Sequence, residues 1–170
     1  NSIIKWEGSK LVGGNHTGTI NIKEGTLNVE NGNISGGRFI IDMTSIKNTD
    51  LPADEGLKLV GHLSSGDFFE VEKYPEAVFE ITAVSPATDE GVTHKVTGNL
   101  TMKGITKSIT IPAKIAIKDG VVYASTPQFV IDRTAWNVMY GAGALGVAKD
   151  KIINDNIGLA IELKAEVTEG

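Results

Sequence analysis

Lys107-Ser108-Ile109-Thr110-Ile111-Pro112-Ala113-Lys114-Ile115-Ala116-Ile117-Lys118-Asp119-Gly120 is the stretch that decides the fold class. In an extended chain successive side chains point to opposite faces. Ile109, Ile111, Ala113, Ile115 and Ile117 therefore share one face, which predicts a strand over Lys107–Ile117 with one side buried. Asp119-Gly120 tolerates positive φ at both positions and predicts a hairpin, with the chain returning through Val121–Asp132. Pro112 donates no ladder hydrogen bond, so it predicts a bulge, an edge position or a break.

The same period-two pattern spreads in both directions. Val96, Gly98, Leu100 and Met102 share a face of Thr93–Met102, which ends in a Lys103-Gly104 turn. Ala77, Phe79 and Ile81 form another buried face, and Phe39, Ile41 and Met43 another within Ile34–Ser45, after an Asn31-Gly32 hairpin signal. Ile20 and Ile22 alternate with polar residues, and Glu24-Gly25 then predicts a turn into Thr26–Val29. The last strand is expected over Asn156–Val167, with Ile157, Leu159, Ile161, Leu163 and Ala165 inward.

Two segments break the pattern. Ala53–Ser64 reads as a short helix with Leu57, Val60 and Leu63 towards one side, followed by a turn at Asp67-Phe68-Phe69 and a stop at Pro75. The Gly-rich stretch from Trp136 to Asp155 reads as a loop with a little helix. About eight strands and one helical insert do not make a βαβ chain. They fit a two-sheet sandwich or a barrel, and a barrel removes exposed edges while enclosing a cavity.

Composition bounds what such a fold does. A chain of 170 residues with 41% apolar side chains suits one domain, residues 1–170, with a sizeable core. A net charge of −5 without long blocks offers no basic face for nucleic acid. Cysteine is absent, so thiolate chemistry and disulfides are excluded. No apolar run approaches the ~20 residues of a membrane-spanning helix. The chain opens at Asn1 without an initiator methionine, which leaves both a removed leader and its absence open.

Candidates for catalysis are sparse. His16, His62 and His94 match no compact metal-ligand spacing, and no Gly-x-Ser-x-Gly elbow or phosphate loop occurs. Gly141-Ala142-Gly143 with Gly146 lacks the strand and helix of a dinucleotide fingerprint, and Asp67 with Glu70 reads as a capped turn. Asn15-His16-Thr17 has the form of a glycosylation acceptor, which carries meaning only in a suitable host. No nucleophile, base and orienting group stand together, so an enzyme is not expected, nor a cofactor or metal. His16 and His62 can each bond a backbone carbonyl or reach a ligand head group. Phe68 and Phe69 either plug a barrel end or line a cavity mouth. Arg133, near Asp132 and Trp136, is either a salt-bridged barrel-end residue or an anion contact.

The chain resembles the YceI-like family of bacterial polyisoprenoid-binding proteins. The resemblance begins at Trp6 and His16-Thr17-Gly18-Thr19, and continues through Gly36-Gly37-Arg38-Phe39 and Asp42-Met43-Thr44-Ser45-Ile46. It is most specific at Gly61-His62-Leu63-Ser64-Ser65-Gly66-Asp67-Phe68-Phe69, Lys73-Tyr74-Pro75 and Phe79. A second specific stretch runs from Val96 through Gly98-Asn99-Leu100 to Lys107, and Arg133 matches a late family arginine. The resemblance implies a lipocalin-like, extended eight-stranded antiparallel barrel with a helical insert around residues 53–70. It implies non-catalytic binding, storage or transport of an isoprenoid, a quinone or a similar long-tailed lipid in the lumen. Export to the periplasm or beyond is implied too, and related barrels can pair, which leaves a homodimer open. The alternative is a structural or stress-related barrel whose core is filled. Where many members carry Arg-Asp before the helix histidine, this chain has Leu59 and Val60, so a charged contact there is absent. His16, His62, Phe68, Phe69, Phe79, Arg133 and Trp136 are the candidate ligand contacts.

Overall fold

The computed structural model describes residues 2–9, 15–31, 33–66, 68–138 and 155–169. Among them, period-two segments form nine strands: β1 (Ile3–Ser9), β2 (Asn15–Glu30), β3 (Asn33–Asn48), β4 (Glu76–Pro86), β5 (His94–Met102), β6 (Ile105–Lys118), β7 (Val121–Ser125), β8 (Phe129–Asp132) and β9 (Asn156–Glu169). Helix α1 (Ala53–Leu63) joins β3 to β4, and a 3-10 turn (Arg133–Trp136) follows β8. Strands β1 to β7 pair antiparallel in chain order. β9 meets β7 and β8 along one edge and β1 along the other. β7 and β8 thus share one lane, and the sheet closes as an eight-stranded barrel, which removes most of its edges. Beyond the start of β1, β9 pairs directly and in parallel with β2 at Leu27, Asn28 and Val29.

The turns follow the expected chemistry. Asn31, Lys103 and Asp119 adopt positive φ, and Gly104 and Gly120 follow two of them at φ 77°. The β2–β3, β4–β5 and β6–β7 hairpins lie at one end of the barrel, while α1, the Lys103-Gly104 turn and the 3-10 turn lie at the other. Pro112 sits opposite Lys95 of β5, and β6 has no partner on its other side until Lys114 meets Ser125. Of the three settings open to Pro112, the local edge is the one found.

Four expectations are corrected. Glu24-Gly25 is no turn: β2 continues through it, and a register shift between Ile22 and Glu24 absorbs an extra residue while the Phe39 ring lies over Gly25. Leu57 does not face the core, being 71% exposed. Gly56 is buried and Leu59, Val60 and Leu63 pack inward, so the buried stripe lies about 100° away from Leu57. The return strand from Val121 splits into β7 and β8 around Pro127. Ile117 emerges 42% exposed beside the β6–β7 turn, beyond the packed part of its face. Asp67 and the Gly141–Gly146 stretch lie outside the described residues.

The apolar faces meet in one core that runs from Ile4 and Phe39 to Ile111, Val122 and Trp136. Large rings are seated on glycines of neighbouring strands. Trp6 pairs with Gly18, and a side chain at Gly18 would overlap the Trp6 ring. The Phe79 ring likewise fills the space that a Cβ at Gly98 would need, 2.5 Å from its Cζ atom. Such ring-over-glycine contacts fix register and curvature in a barrel wall.

Candidate ligand-binding lumen

Inward side chains from every lane leave two adjoining apolar cavities along the barrel axis. The cavity near the hairpins is about 120 Å³ and is walled by Leu27, Phe39, Phe79, Ile111, Val122 and others. Thr126 is its sole polar side chain, and the hydroxyl accepts a hydrogen bond from the Ile161 N–H at 2.9 Å. The cavity towards α1 is about 130 Å³, and Met43, Leu63, Phe68, Phe69 and Met102 contribute to its wall. Among the described residues lining it, two side chains carry polar hydrogen, Trp6 and Arg133. Ile4, Ile41, Leu100 and Leu159 line both cavities.

Arg133 is the one buried charged side chain among the described residues, only 1% exposed. The 3-10 turn points it inward, and that turn is started by Asp132, whose carboxylate accepts from the Thr134 N–H. Arg133 Nη1 donates to the Val138 carbonyl at 2.7 Å, and the guanidinium carbon lies 6.0 Å from the Phe68 ring centre. Burial pushes its pKa down, against the carboxylates of Asp155 and Asp132, which raise it. Phe68 is gripped on another side by His62, whose ring stands edge-on at 4.9 Å.

The seven residues nominated from sequence thus fall into three groups. Phe68, Phe69 and Arg133 line the helix-side cavity, and Phe79 lines the hairpin-side one. His62 and Trp136 stand behind the wall, His62 against Phe68 and Trp136 through an Nε1–H bond to the Leu100 carbonyl at 2.9 Å. His16 lines neither cavity; its Nδ1 lies 3.0 Å from Asp50. Of the four residues common to both cavities, Ile41, Leu100 and Leu159 were legible only as members of inward faces and Ile4 was not read at all, because alternation does not say which inward residues border which space.

Asp50 shows what the His16 cluster does. Partial burial would raise its carboxyl, but hydrogen bonds from His16, the Thr17 N–H and Asn48 outweigh that and hold it at about 2. The cluster ties the start of β2 to the segment before α1. Because the folded pKa lies below the unfolded one, this stabilisation is present above about pH 4 and fades as pH falls towards 2. The expected result is that Asp50→Asn flattens the fall in unfolding free energy between pH 4 and 2, by under about 1 kcal/mol for so exposed a group. Urea titrations at stepped pH check this, and an unchanged slope counts against it.

The two tryptophans are expected to respond oppositely to removal of their N–H. Trp136 bonds Leu100, so Trp136→Phe removes a buried hydrogen bond and leaves part of the ring's space empty, and is expected to cost about 1–3 kcal/mol. Trp6 Nε1 is buried without a partner, so Trp6→Phe relieves an unpaired donor and is expected to stay within about 1 kcal/mol of the parent. Chemical denaturation of both variants tests the contrast.

A family model described as "YceI-like domain" matches residues 1–165. The chain belongs to the YceI-like family. Its barrel is similar to that of BcnA from Burkholderia cenocepacia, with a TM-score of 0.74 and 22% identity over 96% of both chains. It is also similar to the YCEI protein of Campylobacter jejuni, with a TM-score of 0.61 and 23% identity over 88% of this chain and 85% of that one. At these identities the likeness concerns the fold. A UPF0312 protein of Pseudomonas aeruginosa is 50% identical over 54 residues, and Protein YceI of Salmonella arizonae 44% identical over 54 residues. Those stretches cover 32% of this chain and 27% of each relative's length. The YceI-like barrel carries no cluster of three or more His, Asp or Glu able to hold a metal among its described residues. What it presents is an apolar lumen suited to a hydrophobic ligand.

Proposed function

We propose that this YceI-like barrel binds, without catalysis, the apolar tail of an isoprenoid, a quinone or a similar long-tailed lipid. The tail lies along the lumen, and the polar end rests in the helix-side cavity near Arg133. The observation that carries the reading is the pair of adjoining cavities, one whose described lining is apolar apart from the Thr126 hydroxyl and the other with a buried cation in its wall. These cavities favour a carrier over a barrel filled by its own side chains. Each is a little smaller than a 150 Å³ apolar cavity that stays dry and accepts benzene.

The energetics favour a long tail. Each buried carbon contributes about 0.8 kcal/mol of transfer, so one isoprene unit contributes roughly 3–4 kcal/mol gross. Association and ordering oppose this by about 4–15 kcal/mol. One unit does not suffice, and several do. Leu59 and Val60 pack on the core where the family resemblance implies a charged pair, and Arg133 supplies a cation in the cavity wall. An exported protein and a homodimer belong to the same proposal and rest on the family resemblance. The test is native mass spectrometry before and after organic extraction. A stoichiometric lipid released by solvent is the expected result. Protein that releases no lipid and takes up no supplied isoprenoid overturns the reading.

A further inference from the structure

Ile4, Ile41, Leu100 and Leu159 stand on β1, β3, β5 and β9, and they are the residues that border both cavities. They form a waist. Ile4, Ile41 and Leu100 are buried, at 6%, 9% and 7% exposure, so they have little room to swing away. The backbone at Leu100 is also held in place, because its carbonyl accepts the Trp136 N–H. The spaces on either side differ in chemistry. Above the waist lie Arg133 and the unpartnered Trp6 N–H, and below it the described lining is hydrocarbon apart from the Thr126 hydroxyl, which accepts the Ile161 N–H.

We infer that this four-residue waist sorts ligands by the length of their apolar tail. The inference rests on the carrier reading above. A ligand anchored by its polar end in the helix-side cavity fills that space with its first isoprene unit or so. Every further unit has to pass between Ile4, Ile41, Leu100 and Leu159 to reach the hairpin-side cavity. Side-chain size at the waist therefore governs long tails more than short ones. General core packing has a different signature, because a change in packing weakens all tails together.

The experiment titrates the full chain with geraniol, farnesol and geranylgeraniol, for the parent and for Leu159→Phe and Leu159→Ala. Leu159 is chosen because it is only partly buried and so tolerates change better than Leu100. The parent is expected to bind more tightly with each added unit. Leu159→Phe is expected to weaken geranylgeraniol by about tenfold or more, and geraniol, with only its second unit at the waist, by severalfold less. Leu159→Ala is expected to raise the ratio of geranylgeraniol to geraniol affinity. Equal losses for all three alcohols in Leu159→Phe, or no loss for geranylgeraniol, overturn the waist while leaving the carrier intact. Should Leu159→Phe fail to fold, the Leu159→Ala ratio decides, and an unchanged ratio overturns the inference. A parent protein that binds none of the three removes the carrier reading and the waist with it.

Discussion

Gly18→Ala is expected to lower the unfolding free energy by about 3 kcal/mol or more, at the upper end of what overpacking costs. A Cβ at Gly18 would sit inside contact distance of the Lys47 carbonyl oxygen and of two atoms of the Trp6 ring. The oxygen belongs to the backbone of the paired strand and cannot rotate aside. The ring is itself held in register opposite Gly18, in the wall of the helix-side cavity. Relief requires the β1–β2–β3 wall to open. For a chain of this length such a loss lowers the melting temperature by roughly 6–12 °C. Gly61→Ala is the matched control. Gly61 is exposed in α1 and a Cβ there meets nothing within 4 Å, so alanine is expected to stabilise by up to about 1 kcal/mol. Thermal unfolding of the two variants side by side gives opposite signs. Equal shifts would count against the ring-on-glycine account.

Arg133→Ala is expected to cost about 2–4 kcal/mol and to erase any preference for anionic head groups. The stability loss has two sources. The Val138 carbonyl loses a buried donor at 2.7 Å, which costs about 1–3 kcal/mol. The Phe68 ring also loses the planar group beside it, leaving a void. Arg133→Met separates these effects, because it restores the volume but not the donor, and it is expected to recover part of the stability. In binding, geranylgeranyl phosphate and geranylgeraniol are expected to differ for the parent and to converge for both variants. A phosphate preference that survives in Arg133→Met would move the anion contact away from this residue.

Much of the fold was legible one strand at a time. Alternation along Lys107–Ile117 and Asn156–Val167, with Asp119-Gly120 between hydrophobic runs, depends only on a chain's own pleat and turn chemistry. Those features survived into β6, β9 and their neighbours. The misreadings came where tertiary contacts outweighed local preference. Glu24-Gly25 has turn chemistry, yet the Phe39 ring lies over Gly25 and the strand runs on. Leu57 is as apolar as Leu59, yet Gly56 rather than Leu57 meets β3 at Asn48. In the lumen, Phe68, Phe69 and Arg133 stood out in the sequence as an apolar pair and a rare arginine. Trp6 entered only through the family resemblance.

By itself the sequence determined most of the strands with their inward faces, the Asn31, Lys103-Gly104 and Asp119-Gly120 turns and the family, because each is written in period, turn residues or ordered motifs, while β1 went unread. Only the tertiary structure decided that β7 and β8 share a lane, that the apolar faces leave two cavities, and that Ile4, Ile41, Leu100 and Leu159 border both of them. The physical reason is that a strand's period specifies which way a side chain points. Its height in the barrel depends on register against strands far away in sequence, and that register exists only once the sheet has closed.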